Sequence, residues 1–204
     1  MRIFKTPRFF AWFFPKRTWG FSRDVNSVYL TFDDGPNPEI TVWILDFLKE
    51  KNLKATFFCV GANVVKYPEV YQRILEEGHS VGNHSFRHQH YYKTSRKEYL
   101  EGIEESSKVI QSKLYRPPYG RMGSIQSRRL SKKYNIVMWT WLSYDFDPQV
   151  PLERILQSAQ KDIRKGSILV LHDNPKVTQR VKALLPPLVD IIQEKNLDFK
   201  PISF

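Results

Sequence analysis

Ser27-Val28-Tyr29-Leu30-Thr31-Phe32 reads as a buried strand, and the chain leaves it through Asp33-Asp34-Gly35-Pro36-Asn37-Pro38. Residues 39–51 follow with Ile40, Trp43, Ile44, Phe47 and Leu48 on one helical face, and residues 55–60 form a second apolar run of strand length. Strand, turn, amphipathic helix and strand in succession are the signature of a βα unit in a largely parallel sheet. The pattern continues outward from this unit. Residues 68–77 are predicted helical with Val70, Tyr71, Ile74 and Leu75 inward, and Gly78 is placed to end that helix. Residues 80–82 form a short strand opening into a His-rich loop, and Ser95 with Glu98 forms a capping-box pattern at the start of a helix carrying Tyr99, Leu100, Ile103 and Ile110. Residues 135–141 and 167–171 are two further buried strands, separated by a helix that starts near Pro151 and runs through Ile155, Leu156, Ala159 and Ile163. A last helical stretch surrounds residues 184–192, with Pro186 and Pro187 expected to interrupt or restart it, and residues 199–202 form a closing strand. With no internal repeat or low-complexity tract, the reading is a single α/β domain.

The 204 residues match one domain at roughly 150 residues per domain. Apolar residues at 41% and charged residues at 26% place the chain among globular rather than disordered sequences. The single cysteine, Cys59, lies inside an apolar run, which excludes an intrachain disulfide and a cysteine-based metal cluster and reads as a buried hydrophobe. The net charge of +11 is unevenly placed. Residues 1–23 hold six basic side chains, no acidic one and eight aromatics, so this stretch supplies +6 of the total. Its longest apolar run, residues 9–14, falls short of the ~20 residues of a bilayer span and of the ~7–15 of a signal-peptide core. The mature chain is therefore expected to start at Met1 and to act in the cytoplasm or at the cytoplasmic face of the membrane. Residues 1–24 are read as a basic aromatic arm whose rings pack on the domain of residues 25–204. An amphipathic element at an anionic membrane surface and a nucleic-acid tail are the other readings of the arm.

Chemistry in parallel α/β folds collects at the carboxyl ends of the strands. Standing at those ends are Asp33-Asp34, then Asn83-His84-Ser85-Phe86-Arg87-His88, then Trp139-Thr140-Trp141 running into Tyr144-Asp145-Phe146-Asp147, and His172-Asp173; Arg116-Pro117-Pro118-Tyr119-Gly120 lies on the loop after the long helix. Each has a plain alternative: Asp-Asp-Gly-Pro is a common turn, a His-x-x-x-His pair arises by chance, His172 could be a satisfied buried histidine and Arg116 a structural ion-pair partner. Yet four of the five histidines fall within twelve residues. Of these, His79 and His90 are read as surface or supporting residues. Two neutral imidazoles and a carboxylate make a three-ligand site with open positions, suited to Zn²⁺ or another divalent first-row ion. Adjacent strand residues point apart, so Asp33 and Asp34 are not expected to do the same job unless the strand ends between them. One can hold metal while the other reaches the bound water and takes its proton.

With Thr31-Phe32-Asp33-Asp34-Gly35-Pro36 and His84-Ser85-Phe86-Arg87-His88 as its most specific motifs, the chain resembles the polysaccharide deacetylases of carbohydrate esterase family four, over about residues 27–200 and with all five family motifs in order. The resemblance implies a distorted, incomplete (β/α) barrel with mostly parallel strands. It implies Asp34, His84 and His88 as metal ligands, most often for Zn²⁺ with Co²⁺, Mn²⁺ or Ni²⁺ as alternatives, and Asp33 as catalytic base. Arg116 would hold the base carboxylate, the Tyr119 backbone N–H would help hold the oxyanion, and Asp145 would orient His172, the general acid. Trp139, Leu169 and Leu171 would line the acetyl pocket, unless they are plain core. The implied activity is N-deacetylation of N-acetylhexosamine units in an acetylated glycan of chitooligosaccharide or peptidoglycan type. An O-acetyl esterase of the xylan type and a non-catalytic glycan- or membrane-binding relative are the alternatives, and no nucleic acid is expected as partner. Two positions depart from the family pattern: Leu142 replaces an aspartate and Phe146 a tryptophan. The first removes a charge near the site and the second alters the pocket wall, while every ligand and proton-transfer position is retained.

Overall fold

The computed structural model describes residues 2–7 and 9–204. The chain begins with the short helix α1 (Phe9–Phe13) and then alternates strand and helix. In order come β1 (Ser27–Asp33), α2 (Ile40–Glu50), β2 (Thr56–Cys59), α3 (Gly61–Lys66), α4 (Pro68–Glu76), β3 (Ser80–Asn83), α5 (Arg96–Ser107) and β4 (Leu114–Tyr115). They are followed by α6 (Ser124–Leu130), β5 (Asn135–Ile136), β6 (Trp141–Leu142), α7 (Leu152–Asp162), β7 (Ile168–His172), α8 (Thr178–Glu194) and β8 (Asp198–Phe199). The strands order as β5-β4-β3-β2-β1-β7-β6, with β8 beside the start of β1, and every named strand pair is parallel. This curled, open (β/α) barrel is the architecture the family resemblance implies, and its parallel strands are what the alternation of strand and helix predicts.

Strand parity sorts the interior into two compartments. Leu30, Phe32, Phe57, Cys59, Leu169 and Leu171 belong to the large cluster beneath the helices, with Ile44, Leu48, Leu184 and Leu188. Tyr29, Phe58, Val137 and Ile168 point to the other side and fill the barrel. Cys59 sits in the first compartment, where burial pushes its thiol pKa well up and leaves it unreactive. The register aligns the functional ends: Asp33 pairs with His172, Cys59 with Asn83, and Asn83 with Tyr115. Residues one step past these strand ends therefore share one rim.

Three expectations need correction. Residues 135–141 are two short strands, not one, because the chain from Val137 to Thr140 crosses between the two sheet edges. Val137, Met138 and Trp141 are buried throughout, so the crossing leaves the same apolar pattern as a strand. The arm completes the closure: the Thr18 N–H donates to the Ile136 carbonyl, the Met138 N–H to the Thr18 carbonyl, and the Leu142 N–H to the Phe4 carbonyl. Exposed sheet edges are aggregation-prone, and the arm covers both. Secondly, α8 runs unbroken through Pro186 and Pro187, because Val181, Leu184, Leu185, Leu188, Val189 and Ile192 form a buried stripe spanning both prolines. Burial of six apolar side chains at ~1.5–3 kcal/mol each outweighs the ~3 kcal/mol that each of the two interior prolines costs. Thirdly, the closing strand is Asp198–Phe199, two residues beside β1. Helices α3 and α6, with seven residues or fewer, carry too little periodicity to stand out in the sequence.

Candidate active site

Strand β1 ends at Asp33, and Asp34 takes a left-handed backbone with φ of 88°. The strand thus stops between the two carboxylates, which turns both into one cleft. Beyond β3, Ser85 (φ 64°) and His88 (φ 52°) fold the His84–His88 loop back on itself. Asn83 braces that turn, its side-chain oxygen accepting the Ser85 N–H at 2.8 Å while its amide donates to the Ile103 carbonyl at 3.0 Å. Of seven non-glycine residues with positive φ among those described, Asp34, Ser85, His88, Tyr119 and Tyr144 lie in these rim loops. Backbone strain of this kind persists only where surrounding contacts hold it.

Ligand atoms of Asp34, His84 and His88 all lie within 4.8 Å of one another. Asp34 Oδ1 stands 3.2 Å from His88 Nε2 and 3.7 Å from His84 Nε2, and it is buried without a hydrogen-bond partner. The His84 Nδ1–H donates to the Arg116 carbonyl at 2.8 Å, which leaves the Nε2 lone pair directed at Asp34. Burial, together with the neighbouring His88, lowers the His84 pKa to about 3. Burial also lowers that of His88, against the pull of Asp34 and Asp33. Two neutral imidazoles and an orphaned carboxylate oxygen fit one divalent cation.

Two charged pairs flank this triad. Arg116 is fully buried; its Nη1 donates to Asp33 Oδ1 at 2.6 Å and to Thr31 Oγ1 at 2.7 Å, and Nη2 donates to the Met138 carbonyl at 3.1 Å. Its guanidinium lies 4.0 Å from the Phe58 ring centre, adding a cation–π contact. The other Asp33 oxygen, Oδ2, faces the cleft 4.0 Å from His84 Nε2. Opposite stands His172. Its Nδ1–H donates to Asp145 Oδ1 at 2.7 Å, and its backbone N–H donates to Asp145 Oδ2 at 2.7 Å. Burial alone would lower the His172 pKa, but Asp145, by charge and hydrogen bond, and then Asp34 and Asp33 raise it to about 10.

The cleft has a volume of about 600 Å³, and Trp139, Leu142, Phe146 and Val170 form its apolar wall. Phe146 meets His172 edge-on at 5.2 Å between ring centres. Leu169 and Leu171 are not part of that wall. They lie fully buried in the cluster beneath the helices, because residues alternate along β7 and His172 shares its face with Val170. His90 lines the cleft, its ring 4.8 Å from that of Tyr119, whereas His79 is buried away from it and accepts the Ala55 N–H.

Two neighbours of His172 also shape the site: Asp173, which the sequence places at the strand end without a role, and Asn174, which it does not single out. The Asn174 amide donates to Asp34 Oδ2 at 2.7 Å, which leaves Oδ1 as the oxygen turned to the histidines. Asp173 accepts the Gly35 N–H at 2.8 Å and the Thr41 hydroxyl at 2.6 Å, tying the Asp34 loop to α2. A Cβ on Gly35 would collide with the Asp173 carboxylate, so only glycine permits this approach. Burial, with Asp34 and Asp33 nearby, pushes the Asp173 pKa up to about 7. Their contiguity with His172 at a strand end was the available signal.

The sequence model of the family described as polysaccharide deacetylase matches residues 22–139. A peptidoglycan-N-acetylglucosamine deacetylase of Bacillus cereus is 35% identical over 175 residues, covering 81% of this chain and 63% of that protein. A second deacetylase of the same description from Bacillus cereus is 28% identical over 193 residues, covering 91% of each. Among solved structures, a peptidoglycan N-acetylglucosamine deacetylase in complex with 4-naphthalen-1-yl-N-oxidanyl-benzamide superposes with a TM-score of 0.87 at 29% identity, covering 97% of this chain and 95% of that one.

Proposed function

The chain belongs to the polysaccharide deacetylase family, and from that premise we propose that it hydrolyses the acetamide of N-acetylhexosamine units in a glycan of peptidoglycan or chitooligosaccharide type. Acetate is released and a free amine is left on the sugar. The observation that carries this reading is the single rim on which the orphaned Asp34 oxygen and two neutral imidazoles stand between Asp33–Arg116 on one side and His172–Asp145 on the other. Asp34, His84 and His88 would hold a divalent cation, with zinc the first candidate, and the cation would supply Lewis-acid polarisation of the acetyl carbonyl and a lowered pKa for water.

The chain's own groups do the rest. Arg116 fixes Asp33 Oδ1, so Oδ2 is the oxygen that accepts a proton from the attacking water. The Tyr119 backbone N–H, on a loop held in left-handed conformation, donates to the acetyl oxygen as it gains charge. The new bond joins the water oxygen to the acetyl carbon, and the bond to nitrogen breaks. Asp145 keeps His172 protonated with Nδ1 engaged, so Nε2 delivers the proton that the departing amine requires. Trp139, Leu142, Phe146 and Val170 exclude bulk water around the acetyl methyl.

Two variants test the assignment. Asp33→Asn should lower acetate release from N-acetylated oligosaccharides by about 10²–10⁴-fold while bound metal, measured by elemental analysis, stays at the level of the parent protein. His84→Ala should remove both metal and turnover. Undiminished turnover in Asp33→Asn overturns the base assignment.

A further inference from the structure

Away from the rim, the arm presents aromatic side chains to solvent. Phe10 on α1 and Phe14 just past its end face inward and pack against Trp19, with ring centres 5.6 and 6.4 Å away. The opposite face carries Phe9, Trp12 and Phe13, which are 55, 78 and 62% exposed. Pro7 and Ala11, at the edge of this helix, line a cavity of about 230 Å³ between the arm and the turn joining α7 to β7. Lys5, Arg23, Arg164 and Lys165 also line it, against one carboxylate, Asp162. Asp162 stands 4.0 Å from the Lys5 ammonium, so Arg23, Arg164 and Lys165 have no carboxylate within ion-pair distance among the described residues.

We propose that this face docks on an anionic lipid bilayer, with Phe9, Trp12 and Phe13 entering the interface and the adjoining basic cavity receiving a lipid phosphate headgroup. Three contiguous exposed rings are unfavourable in water and favourable at the boundary between headgroups and acyl chains. The cations beside them gain only if that boundary is negatively charged. A soluble anion would answer the cavity but not the rings, and a neutral apolar partner the rings but not the cavity. An anionic bilayer answers both. The arm's other contacts are compatible with this use: Arg17 is buried, donating to the Met122 carbonyl at 2.7 Å, so the arm is fixed to the domain while its outer face stays free.

The test is co-sedimentation of the full chain with vesicles of phosphatidylcholine alone or mixed with phosphatidylglycerol. The mixed vesicles should retain the protein and the neutral ones should not. Replacing Trp12→Ala and Phe13→Ala together should weaken partitioning by about tenfold or more. Replacing Arg164→Gln and Lys165→Gln together should weaken it by about fivefold per charge, and raising salt should reduce binding by the parent. The thermal midpoint should be unchanged in both variants, since all four side chains are exposed. The proposal falls if mixed vesicles fail to retain the protein, or if the aromatic variant binds them as the parent does. It also falls if free glycerol phosphate displaces the protein at concentrations where chloride does not, which would make the cavity a soluble-anion site. Self-association abolished by the aromatic variant, without lipid binding, would assign the face to a second copy instead.

Discussion

The rim and the arm both concentrate charge, yet they use it in opposite ways. At the rim, Arg116, Asp33, Asp145 and His172 are buried or nearly so, and each has its partner within 2.7 Å. In the arm, Arg23 and Lys16 stand at the surface and act through the field they share. A buried charge is costly unless paired and hydrogen-bonded, so its geometry is held tightly enough for chemistry. A surface charge costs little and gains little from any one neighbour. The contrast teaches that the number of charged residues says nothing about their work; burial decides whether a charge positions a reaction or attracts a surface.

The comparison can be broken most severely at Arg116. Arg116→Met should cost about 3–5 kcal/mol in urea unfolding, because Asp33 would be left buried and unpaired. Adding Asp33→Leu should recover most of that stability without restoring acetate release; failure to recover it would mean that Arg116 stabilises through packing rather than charge. Gly35→Ala is the next test. Overpacking against Asp173 should cost about 1–3 kcal/mol and weaken metal binding at Asp34, which calorimetric titration would read. A buried titratable group off the rim sharpens the comparison further. Burial, with Lys54 nearby, lowers the His79 pKa to about 4 from 6.5. The unfolded chain therefore binds this proton at higher pH than the folded one, so the stabilisation is present above pH 6.5 and is lost as pH falls through that value towards 4. His79→Gln should flatten the slope of unfolding free energy against pH in that window, and an unchanged slope would show that His79 does not titrate there. The smallest effect belongs to the arm: Trp12→Ala should alter stability by no more than about 0.5 kcal/mol. A larger loss would mean that α1's outer face is packed rather than free.

Much of this was legible in the residues because two periodicities carry it. The alternation of short apolar runs with helical stripes announced a parallel α/β sheet, and the capping box at Ser95 and Glu98 forms as its spacing predicts. What the pattern could not report was direction. The sequence leaves Leu169 and Leu171 between pocket wall and plain core and does not single out Val170, although His172 at the strand end sets the parity for all of them and makes the two leucines core. Residues 135–141 misled for a related reason: a chain crossing inside a closing barrel buries the same side chains as a strand. The roles of Asp173 and Asn174 are not legible locally because they depend on groups more than 130 residues away, Gly35, Thr41 and Asp34.

By itself the sequence determined the class of fold, the order of its elements and the residue types that meet at the strand ends, since these depend on local periodicity and on the rule that loops follow the carboxyl ends of parallel strands. Only the tertiary structure decided that Asp34 turns back beside Asp33, that Asn174 leaves one Asp34 oxygen facing two histidines, and that the arm covers both edges of the sheet. Those outcomes depend on which distant groups are brought within hydrogen-bond reach when the sheet curls, and no local pattern encodes that distance.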